Sequence, residues 1–160
     1  MTIPYLRRLT PVSRSPQANR HLAYLLTFTA GAVNAGGFLA VQQYTSHMTG
    51  IVSSMADNLV LGVYDVVLSG AGGLLSFVAG AASSAVMVNY ARRRRMHSEY
   101  ALPLLAGASL LICFGVLGAR LSDMRGLFVP VTVMLLCFIM GLQNAVITKL
   151  SHAEIRTTHL

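Results

Sequence analysis

Charged residues are scarce in this 160-residue chain: they make up 11% of it, against about 25% in an ordinary soluble domain. Hydrophobic residues account for 54%. A chain with so little polar surface cannot solvate a globule, which excludes a soluble enzyme. The composition instead predicts an all-α, polytopic transmembrane helix bundle whose first partner is the lipid bilayer.

Cysteine is almost absent as well. The two cysteines, Cys113 and Cys137, both lie inside apolar runs, where a thiol behaves as a small hydrophobe. A zinc site needs closely spaced Cys and His ligands, and the chain has no such spacing. It also has no nucleophile paired with a base and no carboxylate pair at catalytic spacing. We therefore expect no disulfide framework, no metal, no cofactor and no enzymatic activity.

No lysine or arginine lies inside a long apolar run, because all twelve cluster at the ends of the runs. A bilayer protein arranges its cations in this way, so the net charge of +7 does not indicate a nucleic-acid partner. Counted over alternate loops, ten cations fall on one side of the bilayer and two on the other. The positive-inside rule then predicts a cytoplasmic N-terminus.

Four apolar runs are long enough to cross a bilayer. The first has 21 residues and would rise about 31 Å as a helix, enough for a hydrocarbon core of about 30 Å. An alternative for this run is a cleaved signal peptide, because Ala30-Gly31-Ala32 resembles a small-residue cleavage site. Within a helical domain over residues 21–160, the predicted spans are residues 21–41, 66–90, 101–119 and 127–148.

Two stretches are not predicted to span. Residues 1–20 are polar, basic and interrupted by prolines, which predicts a flexible cytoplasmic arm. Residues 51–62 are moderately apolar but too few to cross, so they predict a short re-entrant or interfacial segment. We expect a chain break at Thr49-Gly50, after which Ile51 begins a short helix whose positive end faces a pocket.

Small residues recur every four positions along the second predicted span, at Gly72, Ser76, Gly80 and Ser84. This small-xxx-small pattern lets helix backbones approach closely in lipid, so we expect the face to pack against another helix. The alternative is that small residues are simply common in membrane helices. Association of copies into a homo-oligomer is left open.

Similar segments follow the first and the fourth predicted spans. In both segments an asparagine follows a glycine by three residues. A histidine follows that asparagine by 13 residues in the first segment and by 15 residues in the second. With three spans per unit the two copies are inverted, an arrangement that builds many secondary transporters. Chance similarity is the alternative. The matching residues are Gly31, Asn34 and His47 in the first copy and Gly141, Asn144 and His159 in the second.

The segments GAVNAGGFLAVQQYTSHMTG and GLQNAVITKLSHAEIRTTHL, residues 31–50 and 141–160, resemble the signature segments of the YoaK-like family. That family comprises bacterial multi-pass membrane proteins of unknown function. The resemblance implies a bacterial inner-membrane location and about six spans, so we expect this chain to be truncated, or a fragment, after its fourth span. It departs from the family pattern at Ile51, where asparagine is frequent.

The repeated polar residues are the candidate binding site of a small-solute permease. A helix end with unpaired N–H groups favours an anionic solute. The alternative is a structural role, in which each asparagine makes a hydrogen bond between helices and each histidine lies at the membrane interface. The alternative function is a non-transporting membrane scaffold or assembly protein. The candidate substrate-binding residues are Asn34, His47, Thr49, Gly50, Asn144 and His159.

Overall fold

The computed structural model describes residues 16–41, 45–96, 98–121 and 125–151, and every regular element in these ranges is an α-helix. The all-α prediction is confirmed for these ranges. In chain order the helices are α1 (Pro16–Val41), α2 (Met48–Val60), α3 (Tyr64–Arg93), α4 (Ala101–Leu121) and α5 (Arg125–Leu150).

Among the described residues, three helical segments are long and apolar enough to cross a membrane: Gln17–Leu39, Tyr64–Arg93 and Pro130–Leu150. A shorter apolar segment, Ala101–Val116, lies where the sequence predicts the third of four spans. These helices identify the chain as a membrane protein.

Helix α1 begins at Pro16, inside the predicted arm. Proline suits the first turn of a helix because the N–H group that it lacks would have no intrahelical partner there. Residues 1–15, which make up the rest of the predicted arm, lie outside the described residues.

Helix α5 is the centre of the bundle, and α1, α3 and α4 all pack against it. Its candidate span is 61% buried, whereas the spans of α1 and α3 are 22% buried. Its side chains therefore supply most of the apolar core. The fully buried ones include Leu136, Ile139, Met140, Leu142 and Ile147.

One apolar cluster fixes the relative directions of these helices. It joins Val88 near the end of α3, Tyr100 beside the start of α4 and Val146 near the end of α5, and Leu22 of α1 packs against it. The starts of α1 and α4 therefore lie at the same end of the bundle as the ends of α3 and α5. We call this the cationic end, because Arg20, Arg92, Arg93, Arg94, Arg95 and Lys149 lie there.

Helices α3 and α5 touch backbone to backbone where they cross. A Cβ atom at Gly80 would overlap the carbonyl oxygen of Phe138, and a Cβ at Gly141 would overlap that of Phe77. The contact is thus reciprocal, with a Phe-x-x-Gly segment on each helix. Only glycine leaves room for so close an approach.

The small-residue face of α3 is centred on this crossing. Gly80 and Ser84 are buried, while Ser76 is half-buried. A Cβ at Gly72 would make only ordinary contact with Met134, at 3.7 Å, so the tight contact does not extend to that end of the row. Gly73, which the pattern of fours missed, is buried, and its Cβ would lie 3.3 Å from the Cys137 sulfur.

Candidate functional site

Helix α2 is too short to cross a bilayer and lies against α3 as the first arm of a hairpin. It has 13 residues, a length of about 20 Å. A turn through Gly62, whose φ is +74°, joins it to the start of α3. From there it extends toward the middle of the bundle, where Met48 packs beside Phe77 and Cys137. Its N-terminal end therefore lies at mid-height rather than at a surface.

Asn34 of α1 binds the backbone that directly precedes α2. The Asn34 side-chain oxygen accepts hydrogen bonds from the backbone N–H groups of Thr45, at 3.0 Å, and Ser46, at 3.1 Å. All three residues are buried. Asn34 lies seven residues before the end of α1, so Thr45 and Ser46 lie about 10 Å back along that helix from its end.

The start of α2 differs from the sequence-based expectation. The helix begins at Met48, with His47 as its N-cap residue, so Thr49 and Gly50 form its first turn. The expectation that Thr49-Gly50 breaks the chain before Ile51 is wrong. The backbone supports the earlier start, because the Ile51 N–H donates to the His47 carbonyl oxygen at 3.1 Å.

A cavity of about 240 Å³ opens between the N-terminal half of α2 and the facing part of α3. Most of its lining residues are apolar or glycine. Polar groups are concentrated on the α2 side, at His47 and Ser54. The lining residues are His47, Gly50, Ile51, Ser54, Met55, Val66 and Gly70.

The polar groups at this cavity include hydrogen-bond donors. No side chain caps the N-terminus of α2; its first N–H group donates to the Ser46 carbonyl oxygen at 3.2 Å, and the N–H groups of the turn that follows carry the partial positive charge of the helix start. Asn58 donates to the Ser54 carbonyl oxygen, at 2.8 Å, and to the Ser54 hydroxyl oxygen, at 3.3 Å, which leaves the hydroxyl able to donate. A set of hydrogen-bond donors beside a helix N-terminus suits an anion or a carbonyl oxygen better than a cation.

One buried polar atom beside this segment is unpaired. The Thr45 side chain is fully buried, and its hydroxyl oxygen has no hydrogen-bond partner among the residues that the structure describes. A buried, unpaired hydroxyl group costs about 1–3 kcal/mol. This hydroxyl group lies next to the Asn34 contact, just before the N-terminus of α2.

The structure brings together only part of the predicted site. His47 and Gly50 line the cavity. Thr49 lies in the first turn of α2 and is exposed, and Asn34 contacts the connecting backbone instead of the cavity. Asn144 is half-buried on α5. His159 lies outside the described residues, so its role stays a prediction.

The two asparagines of the repeat lie at different depths. Gln143, next to Asn144, donates from its side-chain nitrogen to the Leu26 carbonyl oxygen of α1 at 2.6 Å. Asn144 is therefore close to the level of Leu26, whereas Asn34 lies eight residues further along α1, about 12 Å away. The structure does not place Asn34 and Asn144 in one pocket.

Sequence reasoning missed Gln143, Ser54 and Gly70. The role of Gln143 could have been predicted, because an amide side chain in an apolar span usually makes a hydrogen bond to a neighbouring helix. No comparable pattern marks Ser54 or Gly70. Gly70 matters because a Cβ there would lie 2.5 Å from the Met55 side chain. The glycine therefore leaves room for Met55 of α2 beside the cavity.

Metal binding finds no support in this part of the chain. No group of three or more His, Cys, Asp or Glu residues able to hold a metal ion occurs among the described residues.

A family model described as "protein of unknown function (DUF1275)" matches residues 22–160 of the chain. This match is consistent with the resemblance to the YoaK-like family that the two signature segments indicate. Comparison with curated proteins and with solved structures found no match.

Proposed function

Because this chain belongs to the DUF1275 family, whose function is unknown, we propose its role from the structure: it is a small-solute permease of the bacterial inner membrane. The observation that carries the proposal is the cavity along the N-terminal half of α2, a helix that begins at mid-height in the bundle. Secondary transporters bind substrates near the bilayer midplane, where short or interrupted helices present their ends. Helix α2 has the length and the position of such a segment.

The substrate class follows from the groups at the cavity. The α2 N-terminus, the His47 side chain and the Ser54 hydroxyl favour an anion or a polar carbonyl group, and the apolar walls favour a small one. Asn34 acts as a positioning residue in this proposal. It holds the backbone that precedes α2 and so sets the depth at which the helix presents its end.

An inverted repeat is the architecture that we propose for the bundle. The likeness between α1 and α5 extends one turn beyond the glycine and asparagine, because Phe28 precedes Gly31 as Phe138 precedes Gly141. The two helices pack together, and the start of α1 lies at the same end as the end of α5. The two copies therefore run in opposite directions, as a 3+3 inverted repeat requires.

Uptake into proteoliposomes tests the permease proposal. With the purified full chain and a panel of small organic and inorganic anions, we expect saturable uptake of at least one of them. His47→Ala should lower this uptake by about tenfold, the effect of losing one hydrogen bond to a charged group.

Two neighbouring serines provide a matched control for the cavity. Ser54 lines it and Ser53 does not, and both are exposed on α2. Ser54→Leu should block uptake by filling the cavity, while Ser53→Leu should leave the rate close to that of the parent. Equal rates in the two variants would remove the cavity from the path. If no anion in the panel enters above the rate of empty liposomes, the scaffold function becomes the better proposal.

Labelling of single cysteines tests the proposed orientation. Val63, in the turn between α2 and α3, and Arg94, after α3, are exposed at opposite ends of α3. In a background with alanine at Cys113 and Cys137, an impermeant thiol reagent should label Val63→Cys in intact cells. Arg94→Cys should react only after the cells are permeabilised. The reverse pattern would show that the N-terminus is outside.

A further inference from the structure

We propose that the arginines at the end of α3 form a binding site for the phosphate groups of anionic phospholipids. The sequence Arg92-Arg93-Arg94-Arg95 forms the end of the helical segment Tyr64–Arg93, which is long and apolar enough to cross the membrane, and the two residues after it. Basic clusters in this position attract anionic lipid headgroups. This inference does not depend on the permease proposal.

The four arginines are not equivalent. The Arg92 guanidinium is 2.8 Å from the Glu99 carboxylate, so its charge is largely balanced within the chain. Arg94 lies over the ring of Tyr90, 5.6 Å from its centroid. Tyrosine is enriched at membrane interfaces, and this contact holds the Arg94 charge near that level. Arg93, Arg94 and Arg95 are all exposed.

The backbone that carries these side chains ends the helix in a fixed shape. The Met96 N–H donates to the Ala91 carbonyl oxygen at 3.0 Å, and the Arg95 N–H donates to that of Arg92 at 3.1 Å. Together these two bonds form a Schellman motif, which needs a left-handed residue at the position after the C-cap. Arg95 occupies that position with φ +49°.

Glycine is the usual residue at this position because it adopts the left-handed conformation without steric cost. Arginine there is strained, by about 1–2 kcal/mol for an L-residue with a Cβ. The chain thus accepts strain at a position where a glycine would suit the backbone better. A binding role for the Arg95 guanidinium explains this choice, and helix termination alone does not.

The decisive variant is Arg95→Gly, because the structural and the binding roles predict opposite results. Relief of the strain should leave the thermal stability of the detergent-solubilised full chain equal to that of the parent or higher. Loss of one cationic contact should weaken binding of dioleoylphosphatidylglycerol by about fivefold. Native mass spectrometry of the bound lipid, with dioleoylphosphatidylcholine as the neutral comparison, measures the second effect.

Lys149→Gln is the matched control, since it removes one exposed positive charge at the same end of the bundle. It should change the preference for the anionic lipid much less than Arg95→Gly does. The preference of the parent should also fall when salt is raised, because exposed charges are screened. Equal binding of the two lipids by the parent, or an equal loss in Arg95→Gly and Lys149→Gln, would overturn the proposal.

Discussion

Replacing Gly80 or Gly141 by alanine is expected to destabilise the bundle by about 1–3 kcal/mol, the usual cost of overpacking, or more. Each added Cβ would overlap a backbone carbonyl oxygen of the facing helix, that of Phe138 or Phe77. A backbone group cannot rotate away as a side chain can, so α3 and α5 must separate. In a chain of about this size, each kcal/mol lowers Tm by about 2–4 °C.

The reciprocal geometry makes the double variant informative. Once α3 and α5 have moved apart for one Cβ, much of the space for the other is already present. Gly80→Ala with Gly141→Ala should therefore cost clearly less than the two single losses added together. Thermal unfolding in detergent, followed by the fraction of monodisperse protein, measures all three variants. Strict additivity would show that the two glycines do not share one crossing.

Gly115 on α4 is the control for this experiment, because a Cβ there meets nothing within 4 Å. Gly115→Ala should leave Tm unchanged or raise it slightly, since alanine is the better residue inside a helix. A loss of stability in Gly115→Ala equal to that in Gly80→Ala would mean that helix interiors in this protein tolerate no such change. The crossing would then have no special role.

Asn34→Leu is expected to destabilise the protein by about 1–3 kcal/mol for each backbone N–H group that it leaves unpaired. The side-chain oxygen accepts from two such groups, those of Thr45 and Ser46, and both residues are buried. Leucine has nearly the same size but no acceptor. The backbone at Thr45 and Ser46 should loosen. Faster proteolysis at residues 45–47 and a lower Tm in detergent would measure this change.

Two further variants separate the acceptor from other effects of the substitution. Asn34→Gln keeps an uncharged amide oxygen that can accept these bonds and should lose less stability than Asn34→Leu. Asn89→Leu changes an exposed asparagine of α3 in the same way and should have little effect. A stable Asn34→Leu variant with parental resistance to protease would show that the connection does not depend on Asn34.

Much of the helix content could be predicted from the sequence. Long apolar runs with cations only at their ends predict helices directly, because a backbone in lipid must satisfy its own hydrogen bonds. The helix ends were harder to predict. Helix α2 begins at Met48 rather than Ile51, because Thr49 and Gly50 are accommodated in its first turn.

The candidate site was harder to predict because its residues meet across separate helices. Asn34 attracted attention as a polar residue in an apolar run, but its partners are backbone groups 11 and 12 positions away. Side-chain type does not reveal such partners. At the cavity wall, Gly70 of α3 leaves room for the Met55 side chain of α2. No pattern in the sequence indicates this contact between helices.

The sequence by itself determined that this is a helical membrane protein, since the cost of burying charge and unpaired backbone in lipid acts on every residue separately. Only the tertiary structure decided that α3 and α5 touch at Gly80 and Gly141, that Asn34 binds the backbone just before α2, and that a cavity opens along the N-terminal half of that short helix. Those features depend on which faces of which helices pack together. Packing is a property of pairs of helices, and its energy is spread over many weak contacts that no single segment carries.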